Sequence, residues 1–266
     1  MLQRTTSEFN VMRSMAMKLD IETLGDHGDR VVMVHGSLND GRAAFSEQRS
    51  LAERYRLVIV NRRGYGNNPP VTCVDPEADA QDIVELLEDG AHVVGTSMGG
   101  VISARAAALA PDRVRSLTLI EPPAFPNAAG HPVVAEASLA MQRHWASSST
   151  ANAATFLDGF AAALQMPLQL PSPLPPGLTA ATTNLKTETP WATYIPLAQI
   201  KRARFPKLIV SGQCSPVFEA ICDTLAAELS AQRAVFPGST HAVQRIGKPF
   251  NDVLEQFWQS AARAPA

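Results

Sequence analysis

A serine lies between two glycines in Gly95-Thr96-Ser97-Met98-Gly99. The run before it, Ala91 to Val94, is short and apolar, as a buried strand is. The run after it, Gly99 to Ala110, is rich in Ala and Gly, as a closely packed helix is. A hydroxyl is a weak nucleophile and needs a base beside it. G-x-S-x-G at a strand–turn–helix supplies the position. Its glycines avoid collisions in a tight turn, and the hydroxyl is pushed clear of the sheet, above a helix N-terminus whose dipole favours developing negative charge. An incidental serine in a plain turn is the alternative, and the flanking elements argue against it. A second turn, His35-Gly36-Ser37, follows the apolar run Val31 to Val34 and faces the same edge. The backbone N–H groups of Ser37 and Met98 are therefore candidates for holding an oxyanion.

The base should be a histidine. Six are available: His27, His35, His92, His131, His144 and His241. His27 lies in a polar turn, and His92 is on the strand that leads to Ser97. His131 and His144 fall in a long insertion. Only His241 follows a final strand, Arg233 to Phe236, at the ligand-binding edge, so it is the expected general base. Its alternative is an ordinary loop histidine.

These residues need a scaffold. Short Val/Ile/Leu runs recur at Val31–Val34, Leu57–Val60, Ala91–Gly95, Leu117–Ile120, Leu208–Val210 and Arg233–Phe236. Runs without alternation mark strands covered on both faces, as in a parallel sheet. Helix-length segments lie between them at 41–54, 76–88, 98–110, 218–229 and 250–262. The alternation predicts an α/β fold with a doubly wound, mostly parallel sheet. No internal repeat is present. The chain has 266 residues and is 45% hydrophobic and 18% charged, enough to bury a sizeable core.

Residues 122–206 break the rhythm. They hold 12 of the 20 prolines, three acids (Glu136, Asp158 and Glu188) and seven aromatics, and they show no convincing strand. Pro171 to Gly177 reads as a stiff connector between helical pieces. The division expected is a core of 1–121 and 207–266 with a helical lid of 122–206. The lid would roof the edge where open α/β sheets bind ligands. An ordinary helical subdomain is the alternative.

Four motifs in order resemble the α/β-hydrolase fold: His35-Gly36, Asn61-Arg62-Arg63-Gly64-Tyr65-Gly66, Gly95 to Gly99, and Gly238-Ser239-Thr240-His241. Asn61 stands where the family has Asp, and Thr240 where Gly is commoner. The resemblance spans nearly the whole chain. By analogy with other HG loops, His35 is expected to be structural, hydrogen-bonding its loop. The family's acid usually follows the Leu208–Val210 strand, but the chain reads Gly212-Gln213-Cys214-Ser215-Pro216, and Ser215 supplies no carboxylate. The other place is the end of the preceding strand, where Leu119-Ile120-Glu121-Pro122 offers Glu121. Burying an unpaired charge is costly, so a carboxylate there requires a partner. The alternative is that Glu121 only pins the lid hinge through backbone N–H groups. A Glu at this place resembles some haloalkane dehalogenases and the lactonases acting on zearalenone. Dehalogenases and epoxide hydrolases of this fold use a carboxylate nucleophile, and Ser97 speaks against both.

The expected activity is hydrolysis of a carboxylic ester or lactone through an acyl-enzyme, with Ser97, His241 and Glu121 as triad and with no cofactor and no metal. A lid poor in charge implies a mostly apolar substrate of moderate size, a zearalenone-type lactone being one specific version. Leu38, Met141, Trp145, Phe160, Met166 and Trp191 are the pocket candidates, and each would serve equally as lid core. The rivals are a C–C bond hydrolase of ring-fission type, peracid formation, and a non-catalytic ligand-binding protein. A net charge of −2 without a basic run argues against nucleic acid and membrane surfaces as partners. A homodimer stays open. Three cysteines without paired spacing fit a reducing compartment, and Met1 to Asp20 has no apolar leader, so a cytoplasmic protein is expected.

Overall fold

The computed structural model describes residues 18–148 and 150–262. Nearly all of the Met1–Asp20 segment lies outside them. Seven strands form one sheet: β1 (Ile21–Leu24), β2 (Arg30–Val34), β3 (Arg56–Val60), β4 (Ala91–Thr96), β5 (Val114–Ile120), β6 (Lys207–Ser211) and β7 (Gln232–Val235). Their spatial order is β1-β3-β2-β4-β5-β6-β7. All neighbours are parallel except β1, which runs antiparallel to β3.

Each central strand feeds two cores, because successive side chains point to opposite faces. Val32, Val34, Val58, Val60 and Val93 join the core under the helices Pro76–Leu86 and Met98–Leu109. Val31, Met33, Leu57, Ile59 and Val94 join the other, which includes Phe250, Leu254 and Trp258 of the Lys248–Ala262 helix. Apolar residues on both faces are the reason these strands show no alternation in the sequence.

Two local expectations are corrected. Residues 41–54 are not one helix. A single α-turn, Gly41–Ala44, is capped by Asp40, and 3₁₀ structure follows over Ser46–Glu53. Within the 3₁₀ stretch the buried residues Gln48 and Leu51 lie three positions apart, as three residues per turn requires. Strand β1 was not anticipated. Ile21–Leu24 alternates exposed and half-buried residues at the sheet edge, so it lacks the continuous apolar signature.

Among the described residues, 122–206 contain no strand. The segment leaves the sheet after β5 and returns at β6. It forms helices Pro132–Ser148, Ala153–Ala163, Pro176–Leu185 and Leu197–Arg202. The Pro171–Gly177 run leads into the third of these, with Pro176 in its first turn. No described helix is long and apolar enough to cross a membrane.

Candidate active site

Ser97 occupies the turn between β4 and the Met98–Leu109 helix with φ 53° and ψ −127°. A non-glycine residue there is strained by about 1–3 kcal/mol. The surroundings hold it in place. The Ser97 N–H donates to the Ile120 carbonyl at 2.8 Å, and the Ser97 carbonyl accepts from Gly100 N–H at 2.8 Å. A Cβ on Gly99 would run into the Val34 and His35 carbonyls, and one on Gly95 into Gly99 O and Ser103 Oγ. Gly36 abuts Ser97 itself, since a Cβ there would come 2.9 Å from the serine Cβ.

Glu121 and His241 come together from opposite ends of the sequence. β5 lies between β4 and β6, so Glu121, the residue after β5, stands beside both the Ser97 turn and the Gly212 loop. Its side chain is fully buried. Oε1 accepts the Gly212 N–H at 2.7 Å, and Oε2 meets His241 Nδ1 at 2.6 Å. The expected catalytic partner and the alternative backbone pin are thus two oxygens of one carboxylate. A carboxylate acceptor requires the proton on Nδ1, which leaves Nε2 as the acceptor face of the neutral ring. The imidazole stacks on Phe218, centroid to centroid 4.3 Å. The Cys214 thiol donates to Glu121 Oε2 at 3.7 Å. Burial, reinforced by the Glu121 charge, pushes that thiol up to about 12, so it stays protonated. Ser215, at the family's usual acid position, is turned elsewhere. Its hydroxyl donates to Leu164 O at 2.5 Å and accepts from Val217 and Phe218 N–H, capping the Pro216–Leu229 helix.

On the opposite flank, His35 is buried and neutral. Its Nδ1–H donates to Gly36 O at 2.7 Å, and its Nε2 accepts the Arg62 N–H at 3.0 Å. Burial, with Arg62 close by, holds its pKa well below the usual histidine value. Ser37 is held at both ends. Tyr65 OH donates to its carbonyl at 2.9 Å, and its hydroxyl donates to Glu188 Oε2 at 2.6 Å. Glu188 was not among the sequence candidates. It comes from the insertion, is buried, and receives Arg62 NH2 on Oε1 at 3.2 Å. Asp79 lies 4.0 Å from Arg62 Nε. Two buried carboxylates thus share one buried guanidinium, which favours keeping a proton in the cluster. Burial raises Glu188 to about 7 against the pull of Arg62 and Ser37, and it raises Asp79 as well. A sequence signal for Glu188 existed, because only three acids occur in residues 122–206.

Two cavities open on Ser97. An outer cleft of about 590 Å³ is lined by Ser97, His241, Leu38, Phe160, Met166 and Arg245, among others. A small inner pocket is lined by Ser37, Ser97, Met98, Met141, Phe160 and Glu188, among others. Of the pocket candidates, Leu38, Met141, Phe160 and Met166 face these spaces. Trp145 and Trp191 do not line them. Their half-buried rings meet edge to face at 5.3 Å, and Trp145 packs likewise on Phe156 at 4.9 Å, which fits the alternative of lid core. Among the described residues, no group of three His, Cys, Asp or Glu side chains could hold a metal ion.

The chain resembles known proteins at this level too. A stretch of 104 residues is 38% identical to a pimeloyl-[acyl-carrier protein] methyl ester esterase of Chromobacterium violaceum, covering 39% of this chain and 41% of that protein. The match thus spans about two fifths of that relative. A thermophilic esterase from Thermogutta terrifontis superposes with a TM-score of 0.68 at 20% identity, over 91% of this chain and 93% of that one. Est816, described as an N-acyl homoserine lactone degrading enzyme, gives 0.63 at 22% identity, over 90% and 96%. At such identities the two structures share the fold. The pattern of the alpha/beta hydrolase family matches residues 31–253, and the chain belongs to that family.

Proposed function

We propose that the chain is a serine hydrolase cleaving a carboxylic ester or lactone of a mostly apolar, moderate-size substrate through an acyl-enzyme. One observation carries the reading: the 2.6 Å contact of Glu121 Oε2 with His241 Nδ1, beside a cleft that Ser97 and His241 both line. His241 Nε2 takes the Ser97 proton as Oγ attacks the carbonyl. The Ser37 and Met98 N–H groups hold the oxyanion. His241 then gives the proton to the leaving alkoxide, and water enters by the reverse steps. Glu121 orients the imidazole and balances its charge. The esterase name of the partial relative supports the ester side of the reading. The place of Glu121 taken alone suggests a zearalenone-type lactone as the specific version, and the small size of one of the two cavities at Ser97 argues against it.

The test is turnover of a short p-nitrophenyl ester together with labelling by a fluorophosphonate probe. Wild type should show both, and Ser97→Ala should lose both while folding normally. Cleavage of a β-diketone in place of every ester would favour the C–C hydrolase. Neither turnover nor labelling would favour a binding protein.

A further inference from the structure

The two cavities at Ser97 differ in size and in which catalytic groups they meet, and this assigns the halves of the substrate. The argument rests on the Ser97–His241 reading above. In the tetrahedral intermediate the carbonyl carbon bears Ser97 Oγ, the oxyanion, the leaving alkoxide and the acyl substituent. The alkoxide leaves with the proton that His241 holds, so it must lie on the His241 side. His241 borders the outer cleft and not the inner pocket. Ser37 borders both cavities, so the oxyanion can lie between them, and the acyl substituent is left with the inner pocket, which Met98 borders and His241 does not.

That inner pocket is small. It has about 20 Å³ of free space, against about 590 Å³ for the outer cleft. Twenty cubic ångströms is little more than one water-sized group needs. Its walls Phe125, Met141, Leu164, Leu185 and Phe218 are all at most 1% exposed and belong to close-packed cores. Such walls do not yield freely, and forcing extra methylenes into a packed core costs about 1–3 kcal/mol. The outer cleft offers Leu38, Met166, Pro167 and Leu168 as an apolar wall.

We propose that the preferred substrates are esters of a short acyl group, of acetate or propionate size, with a large apolar alcohol. The acyl group passes to Ser97, the alcohol departs with the proton from His241, and one water releases the short acid. A macrolactone of an aromatic acid places a ring on the acyl side and should be a poor substrate.

The experiment uses the full chain and two ester series. With 1-naphthol as the alcohol, the acyl group runs from acetate through butyrate to octanoate. With acetate as the acyl group, the alcohol runs from methanol through hexanol to naphthylmethanol. kcat/KM should fall about tenfold or more from acetate to butyrate, and it should rise along the alcohol series. Met141→Ala, checked for folding by its thermal transition, should raise the butyrate-to-acetate ratio about tenfold. A preference for the longer acyl chains, or two flat series from a protein whose Ser97 still takes the fluorophosphonate, overturns the assignment alone. An unlabelled Ser97 and no ester turnover overturn the serine-hydrolase reading and this assignment with it.

Discussion

Glu121 divides its carboxylate between a backbone amide and an imidazole: Oε1 accepts from Gly212 N–H at 2.7 Å, and Oε2 meets His241 Nδ1 at 2.6 Å. Its backbone takes φ 42° at the end of β5, and its own N–H donates to Val210 O at 3.0 Å. The side chain is therefore aimed before substrate arrives. Glu121→Gln removes the charge that balances imidazolium and can favour the wrong tautomer. We expect kcat to fall by about 10²–10⁴-fold, as losses of an orienting acid do. Steady-state kinetics beside a thermal melt will separate this from unfolding. Wild-type turnover in a folded Glu121→Gln protein would leave Glu121 with the backbone pin alone.

How much of this could be read beforehand depends on where each residue's partners lie. Strands buried on both faces announce themselves as unbroken apolar runs, and their order brings the end of β5 next to the β6 loop. The meeting of Glu121 with the His241 loop could be anticipated from those two facts. Edge strand β1 could not, since half its residues face solvent. Glu188 stands out in the sequence only as one of three acids in 122–206; its role could not be read, because its partners Arg62 and Ser37 are 126 and 151 positions away. Trp145 and Trp191 looked like pocket residues because aromatic composition suits a pocket and a packed interior equally well.

The Ser37–Glu188 contact predicts coupling between the insertion and the proposed oxyanion hole. Ser37→Ala should lower kcat on a short ester about tenfold by loosening the loop. Glu188→Gln should lower it too, but in the Ser37→Ala background it should add little. The cycle should show a coupling of more than about 0.5 kcal/mol. Strictly additive losses would mean that Glu188 does not act through Ser37. Glutamine is the variant to use, since truncation would leave Arg62 a buried charge with less compensation.

Glu188 also predicts a pH effect on stability. Its ordinary value is 4.5, and burial raises it to about 7 in the folded protein. The groups facing it are Arg62, Asp79, Tyr65 and Ser37. Between those two values the native state holds the proton and the unfolded chain has lost it. Unfolding free energy from this group therefore declines as pH rises from about 4.5 to about 7, and it is flat beyond. Asp79, also raised by burial, contributes in the same direction. The wild-type Tm minus that of Glu188→Gln should fall across this window. A difference that rises with pH would show a carboxylate stabilised in its charged form.

Ser215 provides the last test, because its position and its contacts point to different roles. It sits where related chains place an acid, yet its hydroxyl is committed to Leu164 O and to the first N–H groups of the Pro216–Leu229 helix. A serine cap contributes about 1 kcal/mol, or about 2–4 °C in Tm for a chain of this size. Ser215→Ala should cost that much and leave kcat on a short ester within about twofold. The imidazole keeps its carboxylate partner, since Glu121 is untouched by the change. A large loss of kcat at unchanged Tm would place Ser215 in the proton-transfer chain and would require His241 to reach it during turnover. Thermal melts and kinetics on the same preparation decide between the two.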